Sequence, residues 1–155
     1  MKLRLLTVGN RPPGWVAEGF EDYRRRLPRH LALELVEIEP ANRKGWPTDR
    51  VLAEEGERML GRIGPADHVV ALDVAGRTCS TEDLSRMLDN WCMQGNDVSF
   101  LVGGADGLSP ACTERARETL SLSALTFPHH LVRVMLAEQL YRAWTLLQGH
   151  PYHRA

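Results

Sequence analysis

Two stretches of this 155-residue chain concentrate residue types that could do chemistry. The first is Gly103-Gly104-Ala105-Asp106-Gly107, directly after the apolar run Val98–Val102. Glycines behind a buried strand permit positive φ and let a ligand approach the backbone, although a plain tight turn uses the same residues. The spacing is not Gly-x-Gly-x-x-Gly. Position 123, about twenty residues on, is Ser rather than the acid a dinucleotide ribose requires, and no Gly-Lys-Ser/Thr phosphate loop occurs. A site here should hold an uncharged or cationic group through backbone contacts and apolar walls. Asp73, behind Val69–Leu72, and Asp106 are carboxylates at such strand ends, or equally turn and helix-start acids.

The second stretch is the tail His150-Pro151-Tyr152-His153-Arg154-Ala155. Tyr, His and Arg in a row offer stacking, proton transfer and phosphate contact together; a frayed terminus is the plain alternative. His150-x-x-His153 has a metal-like spacing, but Pro151 opposes a regular helix and no third ligand is evident, so no metal is expected. His129 and His130 read as helix-start residues. Ser109 and Ser123 lack the Gly-x-Ser-x-Gly elbow of a hydrolase. Cys79, Cys92 and Cys112 form no Cys-x-x-Cys pair and suit a reducing cytoplasm.

The elements that must position these residues alternate between strand and helix. Lys2–Val8 reads as a strand. Val16, Phe20, Tyr23 and Leu27 lie on one helical face, and Pro28 ends that helix. Leu31–Glu39 alternates as a strand whose phase slips at Leu35-Val36, as a bulge would produce. Thr48 can cap a helix to about Arg62, with Asp49 in its first turn. Val69–Leu72 and Val98–Val102 are continuous apolar strands, covered on both faces. Ser80-x-x-Asp83 opens a helix, Ser109-Pro110 another. Leu120–Leu125 reads as a last strand and Leu131–Gln148 as a last helix. This is an α/β chain with a mainly parallel sheet and helices on both faces. In the last helix only Glu138, Arg142 and Thr145, with Gln139 beside them, form a polar stripe. The apolar remainder exceeds what a sheet needs, implying either a centrally buried helix or a homodimer seam.

With 43% hydrophobic and 25% charged residues the composition is that of a globular protein, of a length for a single domain over 1–155. The longest run without Asp, Glu, Lys or Arg is Thr119–Val132, too short and too polar for a membrane span. No signal peptide is expected at the start.

The ordered blocks Leu101-Val102-Gly103-Gly104-x-x-Gly107-Leu108-Ser109-Pro110, Leu120-Ser121-Leu122-Ser123-Ala124-Leu125-Thr126, His129-x-Leu131-Val132-Arg133-Val134, Glu138-x-Leu140-Tyr141-Arg142-Ala143-Trp144 and His150-Pro151-Tyr152-His153-Arg154 resemble the RlmH family. These are bacterial 23S rRNA (pseudouridine-1915-N3)-methyltransferases of the SPOUT class. The resemblance covers the whole chain. It implies a C-terminal trefoil knot, which general chain topology disfavours, a homodimer, and S-adenosylmethionine held by Leu72, Gly103, Gly104 and Leu122, Ser123, Ala124, Leu125, Thr126 and Phe127. It also implies a cytoplasmic enzyme acting on 23S rRNA within the assembled ribosome. The family commonly has Pro-Glu where Ala105-Asp106 stand and often Pro where His130 stands.

On this reading the protein aligns the acceptor ring and removes its imide proton. His153 is the candidate base, from a tail folded over the knot in the same or the partner subunit. Tyr152 would stack on or hydrogen-bond the uridine, and Arg154 would hold a phosphate. Arg142 is a second RNA or tail contact, or else an i, i+4 partner of Glu138. The alternative is a non-catalytic module that binds S-adenosylmethionine or a nucleotide. The formal charge of −1 hides an uneven distribution. Residues 1–50 hold 10 basic and 7 acidic residues, residues 51–120 hold 6 and 12, and residues 121–155 hold 3 and 1. Near-neutrality therefore argues against tight non-specific RNA binding rather than against RNA.

Overall fold

The structure, a computed structural model, describes residues 1–9, 11–42 and 44–154, of which 153 and 154 are described by their backbone alone. Five strands, β1 (Lys2–Val8), β2 (Ala32–Ile38), β3 (His68–Thr78), β4 (Val98–Val102) and β5 (Glu118–Ser121), form one sheet in the order β2-β1-β4-β3-β5. Every pairing is parallel. All strand-to-helix loops therefore emerge at one edge.

Five helices cover the two faces: α1 (Gly14–Arg26), α2 (Thr48–Leu60), α3 (Thr81–Gln94), α4 (Pro110–Arg115) and α5 (His129–Gln148). Phe20 of α1, Leu84, Leu88 and Trp91 of α3, and Leu136 and Leu140 of α5 pack with Leu3, Leu5, Val70 and Phe100 on one face. Met59 of α2 and Cys112 of α4 close the other over Leu6, Val8, Val69 and Leu101. This two-sided cover explains why β3 and β4 are continuous apolar runs.

It also corrects the expected bulge at Leu35-Val36. Residues 32–38 pair with β1 in unbroken register. Leu33 and Leu35 face the α1 side, while Val36 and Ile38 face the α2 side. The apparent phase slip records a change in which face is covered. Thr48 does not cap α2: Pro47 holds that position, without a side-chain bond. The expected strand Leu120–Leu125 ends at Ser121, because the Ser121 hydroxyl donates to the Ser123 carbonyl (2.9 Å) and turns the chain. Ser80 and Asp83 form the expected reciprocal capping box on α3.

Leu120 pairs in parallel with both Leu72 and Arg77, so residues 73–76 leave β5 and return to it. A Cβ on Gly76 would lie 2.8 Å from the main chain of Thr119 and Leu120. Residues 73–76 thus bulge out of the ladder, with Gly76 held close against the main chain of Thr119 and Leu120. α5 then packs between α1 and α3, and Thr145, expected on its polar stripe, is fully buried with its hydroxyl bonded to the Arg142 carbonyl (2.6 Å). Its apolar breadth is largely used within the chain. Among the described residues no helix is long and apolar enough to cross a membrane.

Candidate functional site

The carboxyl edge of a parallel sheet is where ligands are met. A cavity of about 150 Å³ opens there, lined by Leu72, Asp73, Val74, Leu122, Ser123, Leu125, Thr126, Phe127 and Val132. Six of the expected cofactor residues, Leu72, Leu122, Ser123, Leu125, Thr126 and Phe127, thus converge in one wall. Ala124, exposed on the same loop, and Gly103 and Gly104 lie outside the lining. Val74 and Val132 do line it and were not anticipated. Val74 has the same strand parity as Leu72, and Val132 follows Phe127 into α5, so both could be inferred only once the approach of 73–76 to β5 was known.

The loop geometry is set by backbone. Gly104 and Gly107 bridge across the Ala105-Asp106 turn, and Gly107 has φ 86°. A Cβ on Gly103 would collide with the Gly107 main chain and approach the Leu108 nitrogen to 2.7 Å. Ser123 Oγ accepts from the Leu125 N–H (3.0 Å), shaping the 122–127 loop. Asp73 Oδ1 accepts from the Ala75 N–H (2.8 Å), so this carboxylate serves its own turn. Asp106 is exposed at the tip of its turn. Ser109 Oγ caps α4 through the Cys112 N–H (3.2 Å). Among the described residues no group of three His, Cys, Asp or Glu converges as a metal set.

The strand order reverses between β1 and β4, the point at which parallel sheets form a crevice, and Gly9 and Gly103 are the residues that directly follow these two strands. His129 and His130, rings 4.2 Å apart, lie against Gly9. Arg133, four residues into α5 and only 1% exposed, reaches His130 Nδ1 (3.2 Å) and Glu37 (3.5 Å). A guanidinium only donates, so His130 Nδ1 accepts and the proton of the neutral ring lies on Nε2. Burial first, then His129 and Arg133, pushes the His130 pKa down; burial does the same to Arg133. Nothing in the sequence pattern signalled a buried arginine here.

The tail forms a turn of 3-10 helix, Pro151–Arg154, folded back on α5. The Tyr152 ring meets Tyr141 edge-on at 4.6 Å, and its hydroxyl donates to Glu138 (3.3 Å). Arg142 pairs with the same carboxylate (2.6 Å) and lies over the Tyr152 ring at 4.9 Å. Burial, followed by Tyr23 and Glu138, raises the Tyr152 pKa, so the phenol remains a donor. Arg142 is therefore both the Glu138 partner and a tail contact. The side chains of His153 and Arg154 lie outside the described residues, as does Arg43. Tyr141 is nine residues beyond Val132; at 100° and 1.5 Å per residue they lie on opposite sides of α5, ~13 Å apart along its axis. Cavity and tail thus flank opposite sides of one helix.

This arrangement belongs to a class that comparison defines. The chain belongs to the SPOUT methyltransferase family: the family model described as "Predicted SPOUT methyltransferase" matches residues 1–153. It is 56% identical over 155 residues to Ribosomal RNA large subunit methyltransferase H of Methylococcus capsulatus, covering 99% of this chain and 100% of that one. It is 58% identical to the protein of the same name from Alkalilimnicola ehrlichii, with 100% of both chains covered. In fold it is similar to the crystal structure of a probable methyltransferase from Bordetella pertussis Tohama I, with TM-score 0.56, 18% identity and 91% and 95% of the two chains covered. It is similar also to a probable methylase family protein from Haemophilus influenzae, with TM-score 0.58, 9% identity and 97% and 69% covered.

Proposed function

We propose that this protein is an S-adenosylmethionine-dependent methyltransferase acting on N3 of pseudouridine 1915 of 23S rRNA, on the assembled ribosome in the cytoplasm, as a single domain spanning 1–155. The observation that carries this reading is the convergence of Leu72, Leu122, Ser123, Leu125, Thr126 and Phe127 on one mostly apolar cavity, in a chain 53–58% identical to proteins named for large-subunit rRNA methylation.

The residues present suit the cofactor. The walls are mostly apolar, and the nearby carboxylate is tied into a turn. Leu72, Leu122, Leu125 and Phe127 would wall the adenine, with main-chain groups of 103–104 and 122–127 reading its edge. When bound, S-adenosylmethionine supplies an electrophilic methyl on a sulfonium.

The chain's own residues bind the acceptor, exclude water and move one proton. We assign to His153 the acceptance of the ring imide proton, which leaves the nitrogen lone pair free to attack. Tyr152, kept protonated, stacks on or donates to the ring. Arg154 takes a phosphate, and Arg142 holds Tyr152 from above. The close approach of 73–76 to β5 is consistent with a trefoil knot. The placement of cavity and tail on opposite sides of α5 supports a homodimer in which a second copy's tail completes the site.

Methyl transfer to unmodified free 23S rRNA, 50S subunits and 70S ribosomes, assayed in parallel, tests this reading. Incorporation at N3 of position 1915 is expected, strongest on 70S. Cofactor binding without transfer to any of the three would make the protein a binding module instead.

A further inference from the structure

The site described so far accounts for the cofactor and the target ring but not for how a near-neutral chain grips its RNA. The crevice at the strand-order reversal has one wall unassigned: the loops that follow β1 and β2. These loops leave side by side, because the Gly9 N–H donates to the Ile38 carbonyl (2.9 Å). Between residues 9–14 and 39–50 the sequence holds Arg11, Arg43, Lys44 and Arg50 against Glu39 and Asp49.

Two local features are costly to the fold alone. Trp15 is 62% exposed at the start of α1, where bonds from the Val16 and Ala17 N–H groups to the Pro13 carbonyl hold the first turn (3.0 and 3.2 Å). An indole left in water forgoes the burial its size would reward. Arg11 has φ 51°, a left-handed conformation that costs a non-glycine residue energy and that recurs at functional sites. In the loop that follows β2, the Arg50 guanidinium covers the Trp46 ring at 3.8 Å. Aromatic faces interleaved with cations at one edge are the elements of a single-stranded nucleic-acid surface.

Resting on the methyltransferase reading, we propose that Trp15 is a stacking platform for an unpaired rRNA base next to the target nucleotide, with Arg11, Lys44 and Arg50 holding the adjoining phosphates. An exposed indole accepts any base face, and the cations act on backbone alone. The grip is therefore sequence-tolerant, and the target is chosen by which loop of a folded particle reaches the crevice. The same arrangement explains why a large basic surface is not needed.

The test is steady-state methylation of unmodified 70S ribosomes by full-length Trp15→Ala, Trp15→Phe and Lys44→Gln proteins, with cofactor affinity measured by calorimetry. Trp15→Ala should raise KM for ribosomes about 10-fold or more, with kcat and cofactor affinity nearly unchanged. Trp15→Phe, which keeps an aromatic face, should recover most of that loss. Lys44→Gln should lower the slope of log KM against log salt by about 1. A wild-type KM for Trp15→Ala overturns the inference. So does sedimentation of Trp15→Ala at half the wild-type mass, which would place the indole in a seam between copies. A wild-type protein that binds cofactor yet methylates no rRNA would bring down the underlying reading together with this one.

Discussion

The cavity at the carboxyl edge and the tail on the far side of α5 are built by opposite means. At the cavity, main chain decides. Gly103 cannot take a Cβ without striking Gly107, and Ser123 and Asp73 spend their side chains on their own turns. At the tail, side chains decide: Tyr152, Glu138, Arg142 and Tyr141 hold one another through a phenol hydrogen bond, an ion pair and ring contacts. A site made of backbone is stiff and tolerates few substitutions. A site made of half-exposed side-chain pairs loses about 1 kcal/mol or less per contact, and can be released and remade. In the homodimer proposed above, that suits a tail that leaves its own helix to reach the second copy's site.

The sharpest way to separate the two is His153→Ala. Single-turnover methylation should fall about 10²- to 10⁴-fold while cofactor affinity stays at the wild-type value; an unchanged rate would remove His153 as the base. Gly103→Ala should do the converse. Backbone displacement of the kind that costs about 1–3 kcal/mol should weaken cofactor binding by roughly 10- to 100-fold in calorimetry. Normal affinity would show that the loop yields more readily than its packing implies.

Smaller effects probe the tail and the histidine pair. Tyr152→Ala should lower unfolding free energy by about 1 kcal/mol through loss of the Tyr141 and Arg142 contacts. Tyr152→Phe should cost only a few tenths, since it gives up one long hydrogen bond; chemical denaturation distinguishes them. His130 has a folded pKa below its unfolded value near 6.5, so the unfolded chain binds more protons as pH falls through that range. Its contribution is intact above about pH 6.5 and is lost progressively below it. His130→Gln should flatten the pH dependence of the denaturation midpoint between pH 7.5 and 5.5. An equally steep fall in the variant would assign the effect elsewhere.

Much of the molecule was legible from residue order. The parallel α/β architecture followed from apolar runs such as Val98–Val102 alternating with amphipathic helices, and the Ser80–Asp83 cap from three-residue spacing. That Leu72 and the 122–127 loop come together was legible through block resemblance, since local composition alone offered only a turn. Val74 and Val132 were not, because the close approach of 73–76 to β5 brings together segments far apart in the sequence. Arg133 was missed because a charged residue reads as surface unless its partners, here Glu37 and His130, are known to be close. Thr145 was misplaced because its hydroxyl finds a partner in its own helix.

By itself, then, the sequence determined what is local or periodic: which segments become strands and helices, the helix starts at Ser80 and Ser109, and which family blocks the chain carries. Only the tertiary structure decided which loops share a cavity, that the tail and that cavity stand on opposite sides of α5, and that a guanidinium is buried beneath the histidine pair. The physical reason is that hydrogen-bonding geometry and side-chain periodicity act over a few neighbouring residues. A meeting of distant segments and a buried guanidinium are instead selected by the free energy of the whole packed core.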